Sequence, residues 1–192
     1  VRGFAGGALA LQAVHDGAAH VCSGAYEHTL LQQSQGHDFR AFVVQGRAPQ
    51  QALGVSVRAL PGYRRPADLR GRRVGVSAPG SSTQVMASVL LARAGVDARE
   101  VSFVGVGTGA TAVAALRTGR VHALCHADPI MSLLEHRGEV RLVSDLRTLT
   151  AAQEVFGGAM PASCLYAPQA FLHKEPLVAQ ALTNAIVHAL KW

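Results

Sequence analysis

The sequence has few charged residues and no long apolar run. Charged residues make up 16% of the 192-residue chain and hydrophobic residues 49%, whereas average soluble domains are roughly a quarter charged. This composition argues against intrinsic disorder, and no apolar run approaches the roughly 20 residues of a membrane span. It also excludes collagen, coiled-coil and disulfide scaffolds. The sequence therefore indicates a folded chain of one domain or two small lobes.

Lysine is scarce, and arginine supplies most of the positive charge. Lys174 and Lys191 are the lysines, the formal net charge is +6, and six arginines fall within residues 58–73. A basic patch is one mark of nucleic-acid binding. This stretch, however, also contains Pro61, Gly62 and Pro66, which is typical of a solvated connector. We therefore expect no nucleic-acid partner.

The common catalytic and metal-binding motifs are missing. The cysteines at 22, 125 and 164 have no metal-ligand spacing and cannot all pair with one another. HExxH, GxSxG and GxxxxGK[ST] are all absent. A Cys–His nucleophile using Cys125 or Cys164 stays open, although no neighbour in the sequence activates either thiol. We expect no catalytic residue, no metal and no cofactor.

Short apolar segments alternate with helical patterns, many of which end before a glycine or begin at a proline. The alternation predicts an α/β fold of mostly parallel sheets with flanking helices. Helices are predicted at residues 7–17, 25–35, 82–94, 110–118, 129–136 and 176–192, with one helical turn at 168–172. Strands are predicted at residues 19–23, 39–45, 52–57, 73–77, 101–106, 121–125, 140–143 and 163–167.

Three segments follow predicted strands and open helices, where ligands bind in parallel sheets. Residues 77–83 (SAPGSST) offer backbone N–H groups and the hydroxyls of Ser81, Ser82 and Thr83. This arrangement suits an anion, with ordinary helix capping as the alternative. Residues 106–109, with Thr108, allow a close backbone approach or form a simple tight turn. The third segment is residues 125–129, in which Asp128 either caps the helix that follows it or faces a ligand.

Residues 72–135 resemble the second lobe of ABC-transporter solute-binding proteins of the nitrate/sulfonate/taurine and thiamine-pyrimidine-precursor group. The resemblance rests on residues 80–83 (GSST), 94–95 (AG), 116–123 (LRTGRVHA) and 128–129 (DP). Residues 4–31 and 154–172 resemble the first lobe and the return crossing of the same group. Members of the group often carry an aromatic residue before Asp-Pro, whereas this chain has His126 and Ala127. That departure leaves the ligand class open.

The resemblance implies a two-lobed type II periplasmic-binding fold that closes on a solute by hinge motion. Each lobe is expected to be a doubly wound sheet, the first formed by residues 1–58 and 162–192 and the second by 59–161. Because the first residue is not methionine and the last lies within a helical pattern, we expect a fragment truncated at both ends. The implied ligand-binding residues are Gly6, Gly7, Ser23 and Tyr26 in the first lobe, with Ala5 in the same turn as Gly6, and Ser81, Ser82, Thr83, Thr108 and Asp128 in the second.

The implied function is delivery of a small anionic or aromatic/heterocyclic solute to an ABC permease, without catalysis. The resemblance also implies a monomer that is periplasmic or lipid-anchored outside the cytoplasmic membrane, made with a signal peptide. Two alternatives stay open. An enzyme related to thiamine-pyrimidine synthases would need a cysteine-rich motif, and the effector domain of a transcription regulator would need a helix-turn-helix before residue 1.

Overall fold

The computed structural model describes residues 1–4 and 6–191. Its contacts divide the chain into two compact units, the first formed by Val1–Pro49 with Ala159–Trp192 and the second by Gln50–Gly158. Ala5, which the sequence places in a ligand-binding turn, and Trp192, at the end of the last predicted helix, lie outside the described residues.

Helices and strands alternate along the described chain, which confirms the predicted α/β class. Two short 3-10 turns, Pro66–Leu69 and Ala98–Glu100, lie between longer elements. In chain order the elements are α1 (Gly7–His15), β1 (Cys22–Ala25), α2 (Glu27–Ser34), β2 (Phe39–Val44), β3 (Gln51–Ser56), β4 (Arg73–Val76), α3 (Ser82–Arg93), β5 (Ser102–Gly105), α4 (Ala110–Arg117), β6 (Ala123–Ala127), α5 (Ile130–His136), β7 (Val140–Asp145), α6 (Leu149–Phe156), β8 (Ser163–Pro168), α7 (Gln169–Lys174) and α8 (Pro176–Ala189).

The first unit is built on a sheet with the strand order β1-β8-β2. β8 runs antiparallel to both neighbours, so the strand pairs of this unit are antiparallel rather than parallel as expected. The reason is topological, since the returning strand enters between two strands that run the opposite way. Side chains from α1 and the sheet form its core, namely Leu11, Val14, Cys22, Phe39, Cys164 and Tyr166.

The second unit is built on a mixed sheet with the order β5-β4-β6-β3-β7. β4 is parallel to β5 and β6, whereas β3 is antiparallel to β6 and β7. Helices α3, α4 and α5 follow β4, β5 and β6, so their N-termini lie at one edge of the sheet. The core includes Val113 and Leu116 of α4, Leu124 of β6, and Met131 and Leu134 of α5.

Strand β3 decides where the first boundary between the units falls. The sequence assigns residues 1–58 to the first lobe, yet all six residues of β3 are buried in the sheet of the second unit. Its ladders with β6 and β7 hold it there. The contacts therefore divide the chain at residues 49 and 50, and again at 158 and 159.

Helix α6 has no counterpart among the predicted elements. Its cap is conventional, because Thr148 Oγ1 accepts the N–H of Ala151 at 3.2 Å and Gly157 follows the helix in a left-handed conformation. These two residues are a start and stop signal that the sequence does carry. Among the described residues, no helix combines the length and apolar character needed to cross a membrane.

Truncation of Leu116 to alanine is expected to lower the free energy of unfolding by about 2–5 kcal/mol, since a fully packed side chain leaves a cavity. Leu116 is 1% exposed, whereas Leu133 on α5 is 38% exposed and serves as the matched control. Leu133→Ala should change stability by about 0.5 kcal/mol or less. Urea unfolding followed by circular dichroism measures both, and equal losses would contradict the assignment of Leu116 to the core.

Candidate functional site

The hydroxyls at the start of α3 hold the loop after β4 in place. Thr83 Oγ1 accepts the N–H of Ser77 at 2.8 Å and lies 2.8 Å from Ser81 Oγ and 3.0 Å from Ser77 Oγ. Ser81 caps the helix by accepting the N–H of Gln84. Both Ser81 and Thr83 are buried, at 4% and 6% exposure. Each therefore has a structural role, and direct contact of either with a solute stays a prediction.

Ser82, the first residue of α3, is joined to a residue that sequence reasoning missed. Gln51 Nε2 donates to Ser82 Oγ at 2.5 Å, and Gln51 is 7% exposed. Gln51 begins β3 and lies opposite Ala127, near the end of β6. Because β3 is antiparallel to β6, its first residue shares an edge with the end of β6. Hydrophobic periodicity does not report strand direction, so this neighbour was not visible in the sequence.

Gly107 links the loops after β4 and β5 to the end of β6 by hydrogen bonds. Its N–H donates to Ser77 O at 3.0 Å, and its carbonyl oxygen lies 3.0 Å from His126 Nε2. His126 Nδ1 accepts the N–H of Ala127 at 3.0 Å, so Nε2 carries the proton and donates. Gly107 has a φ of +77°, which favours glycine. The neighbouring Thr108 is exposed at the edge where α3 begins.

Asp128 is held by the helix that follows it. Its Oδ1 accepts the N–H and the hydroxyl of Ser132 at 2.9 and 2.8 Å, and Arg147 Nη1 lies 3.4 Å away. Burial alone would raise the pKa of Asp128, but the hydrogen bonds from Ser132 and the charge of Arg147 outweigh it and lower the pKa. Of the two roles that the sequence left open, the structure shows the helix-capping one, and solute contact stays a prediction.

Arg147 forms ion pairs with three carboxylates, one of which is Asp128. Its guanidinium nitrogens lie 2.7 Å from Asp145, 2.8 Å from Glu135 and 3.4 Å from Asp128. Its side chain is 17% exposed. One cation among three anions leaves this corner negative, so Arg147 is not available to an anionic solute. No sequence motif pointed to this cluster, because its members come from a strand end, a helix and two loops.

The N-terminus of α3 is the part of the edge that favours an anion. The first turns of α3, α4 and α5 contain no acidic residue. The open N–H groups of a helix N-terminus carry roughly half a positive charge. The α3 terminus adds the hydroxyl of Ser82 and the amide of Gln51. This arrangement can bind an oxyanion through neutral donors, without a positively charged side chain.

In the first unit, three of the four predicted residues share a cavity. Gly6, Gly7 and Ser23 line a cavity of about 490 Å³, and Tyr26 is not among its lining residues. Ser23 Oγ donates to Gln45 Oε1 at 3.0 Å. Tyr26 lies at the start of α2, and its N–H donates to the carbonyl oxygen of Ala162 at 2.6 Å. The structure thus groups the predicted glycines with Ser23 and assigns Tyr26 to a helix start.

Gly7 also has a packing role. A methyl group at Gly7 would lie 2.9 Å from His28 Cε1, so only glycine lets α1 start so close to α2. His28 is fully buried, with Nδ1 3.3 Å from the hydroxyl of Tyr166, and burial lowers its pKa. His28 is therefore neutral at physiological pH.

The cysteines do not form an activated nucleophile. Cys22, Cys125 and Cys164 are buried and free, and burial raises the pKa of Cys125 and of Cys164 to about 12. A thiol with such a pKa is not ionised near neutral pH. Within residues 1–4 and 6–191, no group of three histidine, cysteine or acidic side chains is placed to hold a metal ion.

Nearly the whole sequence matches one family of known proteins. The sequence fits the model of a family described as NMT1/THI5 like over residues 3–192. The chain belongs to the NMT1/THI5-like family. This result confirms the resemblance seen in the sequence. A comparison with curated proteins gives no match.

Solved structures share the fold of this NMT1/THI5-like chain. A protein from Bordetella bronchiseptica RB50 is 57% identical, with a TM-score of 0.92 over 98% of this chain and 59% of that one. The alkanesulfonate-binding protein SsuA from Xanthomonas axonopodis pv. citri, bound to MOPS, is 22% identical, with a TM-score of 0.72 over 97% of this chain and 60% of that one. The periplasmic nitrate-binding protein NrtA from Synechocystis PCC 6803 is 14% identical, with a TM-score of 0.70 over 98% and 52%. The chain thus spans 52% to 60% of the length of these three proteins.

Replacement of Thr83 by valine is expected to lower the free energy of unfolding by about 1–3 kcal/mol, because the N–H of the half-buried Ser77 loses its acceptor. Thr118→Val is the matched control, since Thr118 is the exposed residue that follows α4 and its hydroxyl donates to Ala114 O. The control should change stability by about 0.5 kcal/mol or less. Chemical unfolding compares the two variants, and an unchanged midpoint for Thr83→Val would rule out its role in the loop.

Replacement of Arg147 by methionine is expected to destabilise the chain at neutral pH by about 1–3 kcal/mol, less than for a buried ion pair because solvent screens the carboxylates. Arg147 also makes stability pH-dependent. Its hydrogen bonds lower the pKa of Asp145 below the unfolded value of about 3.9. That stabilisation is complete above the unfolded pKa and is lost as the pH falls through the lower folded pKa.

Unfolding midpoints measured at several pH values down to about pH 2 should therefore fall more steeply for the wild type than for Arg147→Met. Arg99→Met, which removes an exposed ion pair with Asp97, is the control and should leave the midpoint at neutral pH nearly unchanged. Parallel acid profiles for the wild type and Arg147→Met would show that the cluster does not stabilise the fold.

Proposed function

We propose that this NMT1/THI5-like chain is the solute-binding component of an ABC importer and releases its solute chemically unchanged. The observation that carries the proposal is the N-terminus of α3, where Ser82 and Gln51 add polar groups to an edge free of acidic first turns. Two proteins of the same fold are described as alkanesulfonate-binding and nitrate-binding. Their ligands are anions, which agrees with the donors at this terminus.

The proposed solute is small and carries an anionic group that binds at α3. Neutral N–H and O–H donors bind an oxyanion without the cost of burying an additional charge. The carboxylates around Arg147 repel a second anionic group on the same side. A solute with one anionic end and an uncharged or positively charged remainder therefore fits this edge best. Thr108 and Asp128 are proposed as further contacts to that remainder.

The first unit is proposed to supply Gly6, Gly7, Ser23 and Tyr26, of which the first three line one cavity. Hinge closure on the solute stays a prediction that follows from the family resemblance. A monomer outside the cytoplasmic membrane, periplasmic or lipid-anchored, and transfer to an ABC permease belong to the same proposal.

Buried thiols argue against the enzymatic alternative. A synthase that uses cysteine chemistry needs an accessible or activated thiol, and burial raises the pKa of Cys125 and Cys164. No described contact favours a transcription regulator over a binding protein. The gene sequence upstream of residue 1 distinguishes these two, because a leader peptide supports transport and a helix-turn-helix supports regulation.

Replacement of Ser82 by alanine is expected to weaken binding of methanesulfonate or nitrate by about tenfold, because a hydrogen bond to an anion is lost. Ser88→Ala on the same helix is the matched control, since the Ser88 hydroxyl donates to the backbone oxygen of Gln84, one turn earlier in the helix. Titration calorimetry measures both variants, and NMR of the recovered ligand checks that it is unchanged. Equal affinities for the Ser82 variant and the wild type, or a converted ligand, would contradict the proposal.

A further inference from the structure

The side-chain amide oxygen of Gln51 is buried and has no partner in the part of the chain that the structure describes. Among the described residues, its Oε1 is buried and accepts no hydrogen bond, while its Nε2 donates to Ser82 Oγ at 2.5 Å. The side chain is 7% exposed. An unpaired buried acceptor costs about 1–3 kcal/mol, so such an atom calls for an explanation.

Backbone hydrogen bonds of Gln51 fix the position from which its side-chain amide extends. The carbonyl oxygen of Gln51 accepts the N–H of Leu146 at 2.7 Å, and Gln51 lies opposite Ala127 in the ladder with β6. The strand is fully buried, so a polar residue at its start is costly unless the residue is used. The hydrogen bond to Ser82 directs the amide nitrogen toward the start of α3.

We propose that Gln51 Oε1 accepts a hydrogen bond from the solute, which therefore carries an N–H or O–H group on or next to its anionic group. This inference rests on the proposed function and adds a chemical class to it. The helix N-terminus and Ser82 bind the acidic oxygens, and Gln51 selects for the donor. A simple anion without a donor leaves the amide oxygen unpaired, and sites built to bond a polar group reject analogues that lack it.

Two pairs of small ligands test the inference. Sulfamate and methanesulfonate differ by an amino group in place of a methyl group on the same acid. 2-Aminoethanesulfonate and ethanesulfonate differ by an amino group that lies two carbons away from the acid. Titration calorimetry on the full chain compares both pairs for the wild type, Gln51→Met and Gln51→Glu. Gln153→Met is the matched control, because Gln153 is an exposed residue of α6.

The wild type is expected to bind the amino member of at least one pair about tenfold or more tightly. In Gln51→Met this ratio should fall close to one, and Gln153→Met should keep it. Gln51→Glu retains an acceptor oxygen, so it should preserve the preference while binding all four anions more weakly. Circular dichroism confirms that each variant is folded.

The outcomes separate this inference from the proposed function. If the wild type binds both members of both pairs equally, the inference about Gln51 is contradicted, whereas the proposal of anion binding is retained. The same holds if Gln51→Met keeps the preference or folded Gln51→Glu loses it. If the folded wild type binds none of the four anions, that result contradicts both the proposed function and the inference.

Discussion

The antiparallel insertion of β3 between β6 and β7 is the constraint on which the second unit depends. All six residues of β3 are buried, and ladders on both sides fix its register. A strand that runs antiparallel to both neighbours brings its amino end to the edge where those neighbours have their carboxyl ends. The insertion therefore places Gln51 beside the loops that open α3, α4 and α5, and a parallel strand would have placed it at the opposite edge.

Neutral polar groups organise this edge. Thr83, Ser81 and Ser77 bond to one another after β4, and the carbonyl oxygen of Gly107 accepts from His126. The nearby Arg147 is already surrounded by three carboxylates, so it adds no free positive charge to this edge. Under the proposed function, fixed dipoles stabilise an anion at α3, and these dipoles need no rearrangement and no neutralising partner when the site is empty.

Local features were predictable from the sequence, and features that depend on strand pairing were not. The alternation of strands and helices and the SAPGSST loop are local, and the structure has a strand, a loop and a capped helix there. The direction of β3, the cluster around Arg147 and the contact between Gln51 and Ser82 join residues far apart in the chain. Periodicity cannot detect these contacts, because it records which face is apolar and not which strand lies beside another. Helix α6 is a local feature that the sequence analysis missed, although its capping threonine and terminal glycine are visible in the sequence.

Thr83 and Gln51 show how satisfied and unsatisfied polar groups differ in what they indicate. Thr83 is buried and its hydroxyl is fully used within the loop, so its burial is explained by the fold alone. Gln51 is equally buried, but half of its amide is unused among the described residues. His28 in the first unit is a third case, because a neutral imidazole with one unpaired nitrogen also fills the space beside Gly7. Packing accounts for His28, whereas an apolar side chain would fill the start of β3 at lower cost than glutamine. The amide of Gln51 is therefore better explained by a ligand than by the fold.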